Sequence, residues 1–170
     1  MVILETERLS LRWLTIDDAA FILELVNDPA WLRFIGDKGI QTLRDAENYI
    51  LNGPVDMYGR LGFGLYLVEL KQGRRPVGLC GLLKRAELDD VDLGFAIHAD
   101  FRQRGFAYEA AKAVLTRTRN VLGLNQVLAI TSPDNEASGR LLEKLGFYFE
   151  RMTRLGAEVT EVRLWRLSAR

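Results

Sequence analysis

Along the chain, apolar and polar positions alternate with two different periods. Leu9-Ser10-Leu11-Arg12-Trp13 alternates at every residue, as a half-buried strand does. Thr15, with Asp18 three positions on, has the form of a helix-starting box. Phe21, Ile22, Leu25 and Val26 then recur at helical spacing, and Pro29 is expected to stop that helix. Thr42 and Asp45 repeat the start signal ahead of a second stripe, Ala46, Tyr49 and Ile50. Residues 52–62 hold Gly53, Pro54, Gly59 and Gly62 and read as an irregular, mobile loop. Residues 63–70 are apolar on both faces, which predicts a central strand. A polar turn at 71–75 leads into a returning strand at 76–83, and 90–98 reads as another.

Beyond residue 98 the period changes. Ala107, Ala110, Ala111, Val114, Leu115, Thr118 and Leu122 follow a 3.6-residue spacing that predicts a helix closed by Gly123. A strand at 126–131 follows. Next comes a helix capped by Asp134, with Ala137, Leu141 and Leu145 on one face and Gly146 at its end. Residues 147–154 and 159–167 form a closing hairpin about Gly156. The predicted order is β-α-α-β-β-β-α-β-α-β-β. It implies an α/β (α+β) fold: one mixed sheet with helices on its faces. With 170 residues and no linker or repeat, residues 1–170 are expected to form a single domain.

Composition narrows the chemistry. Lys+Arg and Asp+Glu both number 23, so the net charge is zero and the chain as a whole has no attraction for a polyanion, which leaves room for a local basic site; no nucleic-acid partner is expected. No apolar run is long enough to span a membrane and no leader is apparent, which points to a cytoplasmic protein, monomeric or homodimeric. One cysteine, Cys80, and one histidine, His98, leave too few ligands for a Cys/His metal site, so no metal is expected. Cys80 lies in an apolar strand and reads as a small core residue, and the three tryptophans read as packing residues.

The densest information lies at 91–109. Val91, Leu93, Phe95 and Ile97 make one bulky strand face. Asp92, Gly94, Ala96 and His98 make the other, where small residues are expected to leave room for a ligand beside a carboxylate. The chain then runs Arg102-Gln103-Arg104-Gly105-Phe106-Ala107 into the helix. Backbone N–H groups at a helix start lack internal partners, and the dipole makes that end positive. Gly105 allows close approach of the main chain, and Arg102 and Arg104 offer charge-assisted donors. This is an anion cradle suited to a pyrophosphate, or else a glycine-containing turn with two solvated arginines.

The segment ending in Arg102-x-x-Gly105-x-Ala107 resembles the acetyl-CoA-binding motif of the GNAT (GCN5-related) N-acetyltransferases. Residues 4–12 resemble the opening of the branch that contains the ribosomal-protein N-terminal acetyltransferases. Asn135-x-x-Ser138-x-x-Leu141-Leu142-Glu143-Lys144-Leu145-Gly146-Phe147 resembles that branch's second cofactor motif. The resemblance implies a mostly antiparallel sheet splayed between the strands at 91–98 and 126–131, with helices on both faces and the pantetheine arm of acetyl-CoA in the gap. It implies backbone hydrogen bonds to that arm from Phe95 and Ile97, and pyrophosphate on the loop residues Arg102, Gln103, Arg104, Gly105, Phe106 and Ala107. It places Asn135 near the pantetheine and Ser138 near the thioester sulfur. Where many members carry a tyrosine that protonates the departing thiolate, this chain has Leu142, leaving Ser138 as the candidate acid. Asp92 matches the position of an acidic residue, more often glutamate, that acts through water as the base.

The implied activity is direct transfer of an acetyl group from acetyl-CoA to a primary amine, on a small molecule or a protein N-terminus. Direct attack needs no nucleophilic Cys or Ser, which fits the composition. The alternative is a non-catalytic acyl-CoA-binding module of the same fold.

Overall fold

The structure, a computed structural model, describes residues 1–156 and 160–167. Strands β1 (Val2–Glu5) and β2 (Leu9–Arg12) form an N-terminal hairpin. Thr15 caps a short 3-10 turn, Ile16–Asp18, through the reciprocal box with Asp18, and α1 (Ala19–Val26) follows. Asp18 is nearly buried and accepts a bidentate pair from Arg12 at 3.0 and 2.8 Å; Arg12 also reaches the buried Glu69 at 3.3 Å. The helical layer is thereby tied to the sheet beneath it.

Pro29 does not act as a stop. The first helix has already ended at Val26, and Pro29 opens α2 (Pro29–Phe34), with Asp28 capping the Ala30 N–H. A proline at the first helical position loses nothing, because its missing N–H would have no partner there. Helix α3 (Leu43–Ile50) starts on the Thr42–Asp45 box. The expected irregular loop at 52–62 is helical instead: a π turn at Leu51–Val55 runs into α4 (Asp56–Leu61). The wide turn accommodates Pro54, and Tyr58 holds the segment down. Tyr58 is buried, stacks on Trp13 at 5.0 Å and Tyr66 at 5.6 Å, donates to the Leu65 carbonyl and accepts from the Leu14 N–H.

Strands β3 (Leu65–Leu70), β4 (Pro76–Leu83) and β5 (Val91–Ile97) continue the sheet, followed by α5 (Phe106–Asn120) and β6 (Val127–Thr131). Helix α6 (Glu136–Lys144) is capped by Asn135 and not by Asp134, whose carboxylate accepts from Ser132 Oγ and pairs with Arg33. Strands β7 (Phe147–Leu155) and β8 (Thr160–Leu167) close the chain; the expected strand start at Val159 lies outside the described residues.

The sheet has eight strands in the order β1-β2-β3-β4-β5-β6-β8-β7. Among the described residues only the β5–β6 pair is parallel. Alternation along the strands feeds two large cores, beside a small third cluster of Leu88, Leu128 and Leu164. Tyr66, Val68, Cys80, Leu82 and Leu93 pack with α5, whereas Leu65, Leu67 and Leu79 pack with α1, Trp31 and α3. Among the described residues no helix is long and apolar enough to cross a membrane.

Candidate functional site

Strands β5 and β6 pair only at Val91–Val127 and Asp92–Leu128. Beyond Asp92 they diverge, and the sheet opens into a V. On its other side β5 stays paired with β4 without interruption from Asp92 to Ile97. The His98 N–H donates to the Val77 carbonyl in line with that ladder. Antiparallel strands alternate the direction of their polar groups, so Phe95 and Ile97 turn their main-chain groups away from β4 and into the V. The Ile97 carbonyl already accepts from Arg102 Nε at 3.0 Å, leaving the Ile97 N–H and both Phe95 groups open.

At the wide end of the V the chain makes a short 3-10 turn, Ala99–Phe101, and enters α5. Gln103 and Gly105 are both left-handed, with φ of 63° and 79°. The helix ladder begins with the Glu109 N–H, which donates to the Gly105 carbonyl at 3.0 Å. The N–H groups of Gln103, Arg104, Gly105, Phe106 and Ala107 have no partner among the described residues. Successive unpaired N–H groups in a left-handed loop at a helix start form a concavity for an anion.

The two arginines of the loop are not both free donors. Arg102 pairs with Asp28 at the start of α2 as well as with the Ile97 carbonyl. The Arg104 guanidinium lies 5.6 Å from the Phe101 ring centroid. The main chain is therefore the principal donor set. Its shape is held from the N-terminal hairpin. Arg8 lies over the Phe106 ring at 4.4 Å, donates to the Arg104 carbonyl at 3.0 Å and pairs with Glu109 at 2.7 Å. Glu109 also accepts from the Thr6 hydroxyl and from the Arg8 N–H. Burial pushes the Glu109 carboxyl up, but the hydrogen bonds from Thr6 and Arg8, with the Arg8 charge, outweigh it and hold the group below its ordinary value. The motif at 4–12 and the motif at 102–109 are thus two halves of one clamp. A cavity of about 760 Å³ opens beside it, lined in part by Arg8, Gly105, Tyr108, Lys112 and Arg117.

At the narrow end stands Asp92. It is 1 % exposed, and Arg85 Nε donates to its two oxygens at 3.1 and 3.3 Å. Burial raises the Asp92 carboxyl above its ordinary value, with the Arg85 charge opposing. The room expected beside it is not at Gly94: a Cβ there would meet Leu83 at 3.1 Å and Leu65 at 3.3 Å, side chains that fill the space. Asn135 and Ser138 lie on the other limb. The Asn135 side-chain oxygen accepts from the Ser138 N–H at 3.2 Å, which leaves the amide NH₂ to donate elsewhere. Ser138 is half-buried, and Leu142, one turn on, is fully buried. Burial pushes the Cys80 thiol up to about 12, a packing residue in this state.

Sequence reasoning passed over two features here. One is Arg85, for which a Lys-Arg pair after a strand gives no signal. The other is α2, which Asp28-Pro29 announces as cap and first position. Helix α2 reaches both limbs of the V. Asp28 pairs with Arg102 past the end of β5, and Arg33 pairs at 3.0 Å with Asp134 past the end of β6.

A sheet that opens at one parallel pair, with a main-chain anion cradle at the wide end, is the architecture of an acetyltransferase domain. The family model of an acetyltransferase (GNAT) domain matches residues 8–148, and the chain belongs to that family. A relative in Bacillus subtilis (strain 168), named as the uncharacterized N-acetyltransferase YoaA, is 29% identical over 153 residues, covering 89% of this chain and 86% of its own. The crystal structure of an acetyltransferase from Agrobacterium tumefaciens str. C58 superposes with a TM-score of 0.83 at 21% identity, over 99% of this chain and 94% of that one. The ribosomal L7/L12 alpha-N-protein acetyltransferase RimL, in complex with coenzyme A, gives 0.82 at 15% identity, over 98% and 97%.

Proposed function

We propose that the protein is an acyl-CoA-dependent N-acetyltransferase that moves the acetyl group of acetyl-CoA directly to a primary amine, small or at a protein N-terminus. The observation that carries this is the cradle: unpaired N–H groups from Gln103 to Ala107 at the start of α5, opening onto the exposed edge of β5. The family supplies the chemistry of the donor. The structure of RimL with coenzyme A supports the same use of the fold.

The residues fit that co-substrate at three points. The loop N–H groups offer donors to the pyrophosphate, and the adjacent cavity, where Arg8, Lys112 and Arg117 stand beside Glu5, Glu7 and Glu109, offers room for a nucleotide end. The Phe95 N–H and carbonyl and the Ile97 N–H offer strand-like hydrogen bonds to the amides of the pantetheine arm. Asn135 adds a side-chain donor from the opposite limb. In this reading a backbone N–H of the open β5 edge holds the thioester oxygen as negative charge builds on it. Asp92, its basicity raised by burial, receives the amine proton through water. Ser138 hydrogen-bonds the departing sulfur.

Acetyl-CoA with a panel of amines, including N-terminal peptides, tests the reading by thiol release. Release should depend on the amine, and initial-velocity lines should intersect, because both substrates must be bound before direct transfer. Parallel lines would require an acetylated enzyme and overturn direct attack. Calorimetric CoA binding without release for any amine would leave only a binding module.

A further inference from the structure

The β4–β5 turn carries a group that the cofactor end does not use. Arg85 follows β4 and is fixed by its Nε to Asp92. Asp92 is buried, but the Arg85 side chain is 35% exposed, and its two Nη groups have no partner among the described residues. The backbone beneath is braced: Lys84 Nζ donates to the Arg85 and Leu88 carbonyls, and the Leu88 N–H donates to the Arg85 carbonyl. A guanidinium with one edge locked to a buried carboxylate presents its other edge already oriented, with little side-chain freedom left to lose on binding.

Its position is informative. Asp92 is the last residue of β5 paired with β6, so Arg85 stands at the fork of the V. Asp92 alternates with Leu93, which faces α5, so the pair faces the side of the sheet covered by α1 and α3. On that side a second cavity, of about 400 Å³, is lined in part by Lys38, Asn48, Tyr49 and Asn52. Lys38 makes no ion pair among the described residues. Lys38 is exposed, and loss of part of its hydration, and then the charge of Arg85, hold its ammonium below the ordinary value. The one carboxylate in the cavity wall, Asp45, is taken up by the N–H groups of Gln41 and Thr42. With Asp92 held on its Nε edge and the Glu87 charge close by, the free Nη edge of Arg85 and the unpaired Lys38 ammonium remain as donors for an incoming anion and disfavour an incoming polycation.

We infer that Arg85, with Lys38 beside it, is the acceptor's carboxylate subsite, and that the amine acetylated by this protein carries a carboxylate. The inference rests on the acetyl-transfer reading and narrows its acceptor. The carboxylate lies on the Nη edge of Arg85 and leaves the amine at the fork.

Matched substrates test it. An α-amino acid is compared with its amide, a peptide beginning with Glu with one beginning with Gln, and a linear diamine serves as the cationic arm; kcat/KM is read by thiol release. The acid member of one pair should be preferred by roughly 10–100-fold, as for a charge-assisted hydrogen bond, and the diamine should be the poorest substrate. The pair that responds separates a free amino acid from a peptide N-terminus. Arg85→Gln should bring the preference close to unity. Because that variant strips Asp92 of its partner, Lys38→Gln, which does not touch Asp92, should lower the preference several-fold in a fully folded protein. Equal rates for acid and neutral members, or a preference that survives Arg85→Gln, would overturn the subsite while leaving acetyl transfer standing. Calorimetry of the N-acetylated acid and the N-acetylated amide on the CoA-loaded protein reads the subsite independently of turnover. Preference for the acid without turnover of any amine would uphold the subsite and defeat the acetyl-transfer reading; equal affinity would defeat the subsite.

Discussion

The two ends of the V are built from different material. The wide end is main chain: left-handed Gln103 and Gly105, and a run of N–H groups that any residues in those conformations would present. Side chains serve it only at second hand, through the Thr6–Arg8–Glu109 clamp. The narrow end is side chain: a buried carboxylate, one arginine that partners it, and a serine on the far limb. The wide end should therefore respond to backbone conformation and tolerate changes of side chain. The narrow end should respond to single atoms.

The largest effect is expected at the narrow end. Asp92→Asn should lower kcat by about 10²–10⁴ while leaving CoA affinity nearly intact. The loss should shrink as pH rises and more of the amine is neutral. A higher KM at unchanged kcat would mean that Asp92 serves only to hold Arg85. Ser138→Ala should cost less, since water can replace a hydroxyl beside sulfur. At the wide end, a Cβ on Gly105 would touch only Arg8, at 3.5 Å, so the penalty is conformational. A β-branched residue at φ of 79° costs about 1–3 kcal/mol, and Gly105→Val should weaken CoA binding by roughly 10–100-fold in calorimetry. Unchanged affinity in a folded variant would remove the cradle and with it the contrast between the ends. The smallest effect is at the clamp. Glu109→Gln should lower stability by about 1 kcal/mol at neutral pH, the charge-assisted bonds being discounted for the exposure of Arg8. The Glu109 carboxyl titrates below its ordinary 4.5 in the folded protein. Its contribution is fully present above that value and is lost as pH falls through the lower folded one. Unfolding of wild type and variant should therefore converge in acid; a constant gap would assign the effect to packing.

The same contrast explains what the sequence made legible. Strands and helices with a clear period, such as 76–83 and the helix after Gly105, emerge from pattern alone because a buried face dictates them. The cradle emerges because a main-chain site leaves its mark in glycine spacing. Residues 52–62 do not, since glycine and proline signal loops locally and the burial of Tyr58 overrides them through tertiary packing. The face at Gly94 misleads for a related reason: small residues make room, but Leu65 and Leu83 fill it from neighbouring strands. Arg85 is invisible because its partner lies seven residues away across a turn whose path nothing in the pattern fixes.

Helix α2 has a consequence in ionic strength. Its hold on the β5 limb, Asp28 to Arg102, is partly sheltered, with side chains 13% and 39% exposed. Its hold on the β6 limb, Arg33 to Asp134, is open, at 56% and 65% for the acid and the base. The Debye length shortens from about 30 Å at 0.01 M salt to about 3 Å at 1 M, and exposed pairs are screened first. Added salt therefore loosens the two ends of α2 unequally, the β6 end before the β5 end. Trp31, buried against α1 and α3, keeps the helix seated, so the loosening is confined to its β6 end.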